Sequence, residues 1–487
     1  MLSSANGGWS APSATSSMST IVAAATAQGP GAIAIIRLSG PRAKSILARC
    51  FLPLAERFSN FRPWFMHHGR VLDEDGETLD DALAVFMPGP RTYTGEDMAE
   101  IHCHGGTWIV QTLLAQLCRM GARQAEKGEF SRRALLNGRM DLSQAEAVAE
   151  LVAAPSREAV RYSINRLEGQ LSQKILELRD EMDALRVQIS LAVDFPDDEV
   201  QSFSANDFQR QVGVLMGKVG HLLAGKQRAR MMQQGALVVL AGAVNAGKSS
   251  LLNALIGRER ALVTSIPGTT RDFLEEACDL DGLPVRLVDT AGLRDVTPDG
   301  ASASVEALGI ARSREQLATA DAILLVVDGA ALGETGATAT TCPESTAAEI
   351  LEQVAGRPII VVWNKSDLCY PDSFPPAWVG SRIPCIGVSA KTGDNVNELA
   401  VALKEALLSS CNSGEEVGLA PNARQALTLE EALDELQALY DDIGEGMPFD
   451  VCAVRLDTVA TILGEVTGLT TPADVLDKVF GQFCIGK

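Results

Sequence analysis

The sequence predicts a multidomain chain: an α+β N-terminal domain, an α-helical central domain, and an α/β domain with a doubly wound sheet inserted into the helical one. Three observations predict this. At 487 residues the chain has room for about three domains, each able to bury its own core. The hydrophobic period changes twice, from short alternating runs to recurrences every three or four residues, and then to short unbroken apolar runs. Helical stretches of similar character stand on both sides of those apolar runs, which places the α/β part inside the helical part.

Residues 1–17, MLSSANGGWSAPSATSS, have no charged leading region, no apolar core and no arginine. They read as a disordered lead-in rather than a targeting segment, with Met1 or Met18 as the start. Residues 18–137 form the α+β domain. STIVAAATAQGPGAIAIIRLSG and ALAVFMPGPRTYTGEDMAEIHCHGG each read as strand, turn, strand, and PRAKSILARCFL between them has helical spacing. Residues 138–234 turn to long helices, as in SREAVRYSINRLEGQLSQKILELRDEMDALRVQISLAV, with a proline break at DFPDDE. Residues 235–408 carry ALVVLAGA, VRLVDTAG, AILLVVDG, IIVVWNKSD and CIGVSAK, buried-strand runs with helical stretches between most of them. Polar CNSGEEVG then reads as a linker, and residues 409–487 are the second helical part.

Hydrophobic content of 46% and charged content of 21% are ordinary for a soluble globular protein. The net charge of −20 argues against a general phosphate-backbone binder and leaves RNA contact to a local patch. Ten cysteines without paired spacing argue against a disulfide framework or a zinc site and fit a reducing cytoplasm. No apolar run reaches membrane-spanning length, so no membrane partner is expected.

GAVNAGKS, Gly242 to Ser249, matches the phosphate-loop pattern, follows a strand and opens the helix SLLNALIG. Its glycines turn backbone N–H groups toward phosphate oxygens, and the helix N-terminus adds a favourable dipole. Lys248 reaches the β- and γ-phosphates as the catalytic cation, and the Ser249 hydroxyl binds Mg2+. Asn245, Ala246, Gly247 and Ser250 complete the loop. In DTAG (Asp289, Thr290, Ala291, Gly292) the aspartate holds the metal's water shell and the glycine meets the γ-phosphate. In NKSD (Asn364, Lys365, Asp367) the last carboxylate accepts from the N1–H and 2-amino group of guanine. Adenine has neither donor there, so GTP is selected over ATP. Ser389, Ala390 and Lys391 contact the base. TSIPGTTRD is the candidate first switch, with Thr264, Ser265, Ile266, Pro267, Gly268 and Thr269 over the nucleotide and the Thr270 hydroxyl on Mg2+. Four motifs in this order define a Ras-like P-loop GTPase domain. Two positions depart from the Ras pattern. Leu293 stands where a water-orienting glutamine follows the switch glycine, so another group, an external activator or slow hydrolysis is implied. Asn245 is either a ligand for a monovalent cation beside the phosphates or a tolerated loop residue.

With these marks placed, the chain resembles the MnmE (TrmE) family of tRNA-modification GTPases. The resemblance runs from Ser19 to Lys487 and is carried by TIVAAAT, IIRLSG, GEDMAEIHCHGG, GEFSRRALLNGRMDLSQAEA, DFPDDE, GAVNAGKSSLLNAL, TSIPGTTRD and the terminal FCIGK. It implies an N-terminal domain that dimerises and binds a tetrahydrofolate derivative, such as 5-formyltetrahydrofolate, as one-carbon donor. Arg37, Glu100, Arg139 and Lys487 would lie at that folate. It implies K+ held by Asn245, Thr264, Ile266 and Thr269, and K+-promoted pairing of GTPase domains. The water-orienting role passes to a glutamate, here Glu306, although the stretch from Asp295 to Ser304 is longer than the family's. The resemblance further implies a homodimer joined by an FAD-containing MnmG (GidA)-type partner in a heterotetramer. Together they add a carboxymethylaminomethyl or aminomethyl group at C5 of the wobble uridine, position 34, of certain tRNAs.

The alternative is a regulatory GTPase of the Era or EngA ribosome-assembly type, against which the helical framing and the missing basic G-x-x-G platform count. In GQFCIGK, Cys484 is weak as a lipidation cysteine because Lys487 follows at the last position. A catalytic or site-organising role and a packing role both stay open for it. The family places this tail at the folate, so Arg37 and GQFCIGK are expected to meet across one small-molecule site.

Overall fold

The structure is a computed structural model and describes residues 19–27, 29–55, 58–194, 204–258, 275–289, 316–330, 357–369, 379, 383–409 and 419–487. In chain order the elements are β1 (Ile21–Ala24), β2 (Gly31–Ser39), α1 (Ala43–Cys50), β3 (Phe51–Pro53), β4 (His67–Leu72), β5 (Thr78–Met87) and β6 (Met98–Gly105). There follow α2 (Thr107–Arg119), β7 (Arg123–Gln124), α3 (Glu129–Leu136), α4 (Leu142–Ala153), α5 (Arg157–Leu167), α6 (Gln170–Asp194), α7 (Ala205–Ala224) and α8 (Lys226–Gln234). The α/β part holds β8 (Ala236–Ala241), α9 (Lys248–Arg258), β9 (Glu275–Leu280), β10 (Leu283–Asp289), β11 (Ala322–Asp328), β12 (Ile359–Asn364), β13 (Cys385–Val388) and α10 (Val396–Ser409). Last come α11 (Ala423–Gly444), α12 (Phe449–Thr467) and α13 (Ala473–Gly481). The chain divides into two units, Met1–Ala149 with Gly464–Lys487, and Glu150–Leu463.

Strand alternation builds the first unit. On β2, Ala34, Ile36 and Leu38 enter the core with Ile46, Leu47, Leu113 and Leu117 of α1 and α2, while Ile33, Ile35 and Arg37 take the other face. The sheet runs β3-β4-β5-β6-β2-β1-β7 and is antiparallel except where β7 joins β1. Its register sets Arg37 opposite Glu100. Only part of PRAKSILARCFL is helical, because Phe51 turns extended (φ −123, ψ 122) and pairs with Val71 in the edge strand. The unit is completed by α13, whose Phe480 and the following Phe483 are buried with Leu135, Leu142 and Ala145. Burying such a ring stabilises by about 1.5–3 kcal/mol. The tail, grouped in the sequence with the second helical part, therefore packs in the first unit.

In the second unit the sheet order is β13-β12-β11-β8-β10-β9. Every residue of β8 is buried, as an unbroken apolar run in a parallel sheet requires. On one face Leu240 and Val362 meet Leu251, Leu255, Leu399 and Leu403 of α9 and α10, and on the other Val239, Val361 and Trp363 form a second layer. The sheet is mixed rather than wholly parallel: β9, which the sequence patterning did not reveal, lies antiparallel to β10 at the edge. Among the helices, α7 runs along α11, with Gln209 Nε2 donating to Tyr440 O at 3.0 Å.

The side chain of Arg166 is wholly buried. It donates to Glu150 Oε2 at 2.5 Å and to Gln425 Oε1 at 3.0 Å. The same Glu150 carboxylate accepts from Gln233 Nε2 at 2.9 Å and Asn422 Nδ2 at 3.2 Å. Gln233 stands just before β8, and Asn422 caps α11 after the α/β part. One carboxylate thus ties the chain where it enters and where it leaves the inserted domain. Among the described residues no helix is long and apolar enough to cross a membrane.

Candidate nucleotide and small-molecule sites

The GTP motifs fall at the C-terminal ends of parallel strands, where an open α/β sheet leaves its crevice. Between β8 and α9 the loop makes a close-walled turn. A Cβ on Gly242 (φ 144) would stand 2.1 Å from Val326 O, and one on Gly247 (φ 90) 2.2 Å from Asn364 Nδ2. Asn245 takes the left-handed conformation (φ 64), which asparagine tolerates better than most residues. Lys248 is buried and its Nζ donates to Gly242 O at 3.0 Å and Ala243 O at 2.8 Å, lying across the loop. Ser249 Oγ donates to Asp289 Oδ2 at 2.6 Å, so the hydroxyl assigned to Mg2+ and the carboxylate assigned to its water shell are already together. Hydroxyl and carboxylate oxygens suit that hard cation. Ala246 lies inside the same loop, and Ser250 sits in the first turn of α9.

The base-reading motifs attach to this loop through Asn364. Its Nδ2 donates to Ala246 O at 2.9 Å, and its Oδ1 accepts from Ala390 N at 3.2 Å. Ser389 Oγ donates to Asp367 Oδ1 at 2.7 Å and accepts from Thr392 N at 3.2 Å, which fixes the carboxylate. Lys391 follows at the surface. Lys365 Nζ bridges Asp328 Oδ2 at 2.6 Å and Asn245 O at 3.1 Å. The close-walled glycines, the parked lysine and the paired oxygen donors fit a nucleoside triphosphate with a divalent cation. Thr264, Ser265, Ile266, Pro267, Gly268, Thr269, Thr270, Thr290, Ala291, Gly292 and Glu306 lie outside the described residues, as does Leu293.

The second site lies in the first unit. Arg37 Nε donates to Glu100 Oε1 at 2.9 Å, and His102 Nε2 stands 3.4 Å from the other oxygen. The Arg37 guanidinium lies 5.8 Å from the Tyr93 ring centroid and 5.9 Å from that of Phe130, contacts that favour a cation. Tyr93 OH shares a 2.7 Å hydrogen bond with Ser131 Oγ; burial pushes the phenol's pKa up, against that bond and the Arg37 charge. Arg139 Nε donates to Thr92 O at 2.9 Å and so holds the loop that carries Tyr93. The tail arrives beside these groups. Arg37 Nη1 donates to Gly486 O at 3.4 Å, and Gly128 N to Cys484 O at 3.5 Å. Burial and the neighbouring Arg37 charge hold the Lys487 ammonium below the usual lysine value. Cys484 is exposed. The Arg37–Glu100 pair, with Tyr93 and Phe130 against the guanidinium and Lys487 near Arg37, suits a heteroaromatic ligand with both donor edges and acid groups. Tyr93, Phe130 and His102 were absent from the expected set; the alternation that puts Arg37 and Glu100 on one face also puts His102 there.

A family model described as "MnmE helical domain" matches residues 142–484, and one described as "GTP-binding protein TrmE N-terminus" matches residues 20–139. The chain is 49% identical to the tRNA modification GTPase MnmE of Nitratidesulfovibrio vulgaris (strain DP4), over 96% of this chain and 99% of that protein. It is 45% identical to the protein of that name from Lawsonia intracellularis, with 96% and 99% covered. It is 38% identical to that of Desulfotalea psychrophila, with 96% and 98% covered. With matches on both the N-terminal and the helical regions, and over almost its full length, the chain belongs to the MnmE family of tRNA modification GTPases.

Proposed function

We propose that this GTPase modifies C5 of the wobble uridine of certain tRNAs, with an FAD-containing MnmG-type partner and a one-carbon unit from a tetrahydrofolate derivative. The observation that carries the reading is the meeting of Arg37, Glu100 and the 484–487 tail in a unit separate from the GTP motifs. Two chemistries then belong to two sites. In the second unit Asp367 reads guanine, Lys248 meets the phosphates, and Ser249 and Thr270 hold Mg2+ with Asp289 at its water shell. Asn245, with Thr264, Ile266 and Thr269, holds K+. Bound Mg2+ and K+ supply positive charge to the phosphate oxygens as charge moves during hydrolysis. Glu306 orients the attacking water in place of the glutamine that Leu293 replaces.

In the first unit Glu100 accepts from the amino and N–H edge of the pteridine, and Arg37, Arg139 and Lys487 meet its polar atoms and glutamate tail. Cys484 either acts in the transfer or organises the tail. The protein works as a cytoplasmic homodimer within a heterotetramer, and hydrolysis drives a conformational cycle. GTP turnover measured in KCl and in NaCl at equal ionic strength tests the cation-gated site; equal rates remove it. Glu306→Ala is expected to lower turnover with nucleotide affinity kept, and an unchanged rate moves the water-orienting role elsewhere.

A further inference from the structure

The acidic charge of this chain is not evenly spread. The first unit carries 16 basic and 17 acidic side chains, the second 26 and 45. A polyanion is repelled by the second unit and meets almost no net charge on the first. Within the first unit, the segment from Arg119 to Arg139 holds six basic residues against two acidic ones. We propose that the rim formed by exposed Arg42, Arg123 and Lys127 and half-buried Arg132 docks the sugar–phosphate backbone of the tRNA. This rests on the reading of tRNA as substrate.

Geometry joins these residues into one face. The backbone N–H groups of Arg42 and Arg123 both bond Thr20, at Oγ1 (2.9 Å) and O (2.8 Å). The Arg42 guanidinium folds over the next turn, donating to Met120 O at 3.0 Å. From there Arg123, Lys127 and Arg132 line a cleft of about 440 Å³, with Arg133 buried behind them. Three carboxylates, Glu126, Glu129 and Asp477, line the cleft against the four cations Arg123, Lys127, Arg132 and Arg133, so its charged lining stays net positive. Glu129 is taken by Arg123 and Arg133. Asp477 pairs with Arg132 at 3.0 Å, but the side chains are 59% and 37% exposed, and a pair open to solvent contributes only about 0–1 kcal/mol. A phosphate gives Arg132 a bidentate, charge-assisted partner in exchange. Lys127 has no carboxylate partner among the described residues. Its backbone bridges Ile485 of the tail that reaches Arg37, so RNA held here stands beside the proposed one-carbon site.

The test uses the full-length protein and a labelled, unmodified tRNA transcript, with affinity read by anisotropy across roughly 50 to 300 mM KCl. A Lys127→Glu, Arg132→Glu variant is compared with a Lys174→Glu, Lys218→Glu control in the second unit, where both lysines are exposed. The expected result is affinity at least about 10-fold weaker and a salt slope smaller by about 1–2 for the first variant only. GTP turnover and thermal unfolding should match the parent protein in both. Unchanged tRNA affinity in the first variant, the outcome if the rim serves an acidic protein instead, overturns the proposal and leaves the tRNA reading standing. Equal losses in both variants also overturn it. If the parent protein binds no tRNA, the substrate reading falls and the docking face with it.

Discussion

Arg37 on β2 donates through Nη1 to the carbonyl oxygen of Gly486, 3.4 Å away. Residues from near the two ends of the chain therefore share one site, and the tail is placed by backbone geometry as well as by that bond. Gly486 sits at φ 97, and a Cβ there would meet Ala24 O at 2.3 Å. Gly486→Ala is expected to undock the tail at a cost of about 1–3 kcal/mol. Calorimetric binding of 5-formyltetrahydrofolate should be lost while GTP binding is kept. Full folate affinity in that variant would show that the tail is not part of the site.

Asp367 is held by Ser389, and its carboxylate can accept from guanine but cannot donate. Asp367→Asn should weaken GTP binding by about 100-fold or more, because the amide presents a donor where the base also donates. The same variant should gain affinity for xanthosine triphosphate, whose 2-oxo group accepts. Nucleotide competition measurements read both changes, and a loss for both nucleotides would point to misfolding of the loop instead.

Gly247 separates the phosphate loop from Asn364 by less than a methyl group's contact distance. Gly247→Ala should break the Asn364 bond to Ala246 and abolish measurable GTP binding. The sheet, whose core does not include this position, should keep its far-ultraviolet circular dichroism. Retained GTP affinity would mean that the loop has room to relax.

His104 bonds Asp80 Oδ1 through Nδ1 at 2.7 Å, and that hydrogen bond, with the Asp80 charge behind it, raises the imidazole pKa above 6.5. The sign follows from the shift. The pair's stabilisation is complete below the unfolded value and is lost as pH rises through the raised folded one. A histidine NMR titration should place His104 above the ordinary value, and Asp80→Asn should return it toward that value. An unshifted midpoint in the parent protein would remove this pH dependence.

The parallel core was legible because a strand covered on both faces leaves an unbroken apolar run: ALVVLA, AILLVVD and IIVVWN became β8, β11 and β12. The candidate phosphate-loop, DTAG, NKSD and SAK positions stood out for a related reason, since each motif stands at the end of a strand run and carries chemistry that its neighbours do not. The edge strand β9 was not legible, because EEACDL is half acidic and has no apolar run longer than two residues, so it looks like a polar connection. The aromatic setting of Arg37 was also hidden: Tyr93 and Phe130 come from separate segments, and no local period links them to β2. Arg166 is the plainest case. In sequence it is one more helical arginine, and only long-range packing against Glu150 and Gln425 makes it a buried charge, one whose partner's loss costs about 3–5 kcal/mol.

The tie at Glu150 has a consequence for the order of folding. Its donors Gln233 and Asn422 are brought together only after the whole inserted domain has been synthesised. Were that stretch unstructured, closing it would carry the entropy of a very long loop, which grows as (3/2)RT ln n. A GTPase sheet that folds first, with its first and last connections side by side, removes most of that entropy before α7 and α11 meet. The inserted domain would then serve the helices as a preassembled clasp during biogenesis, before it ever binds a nucleotide.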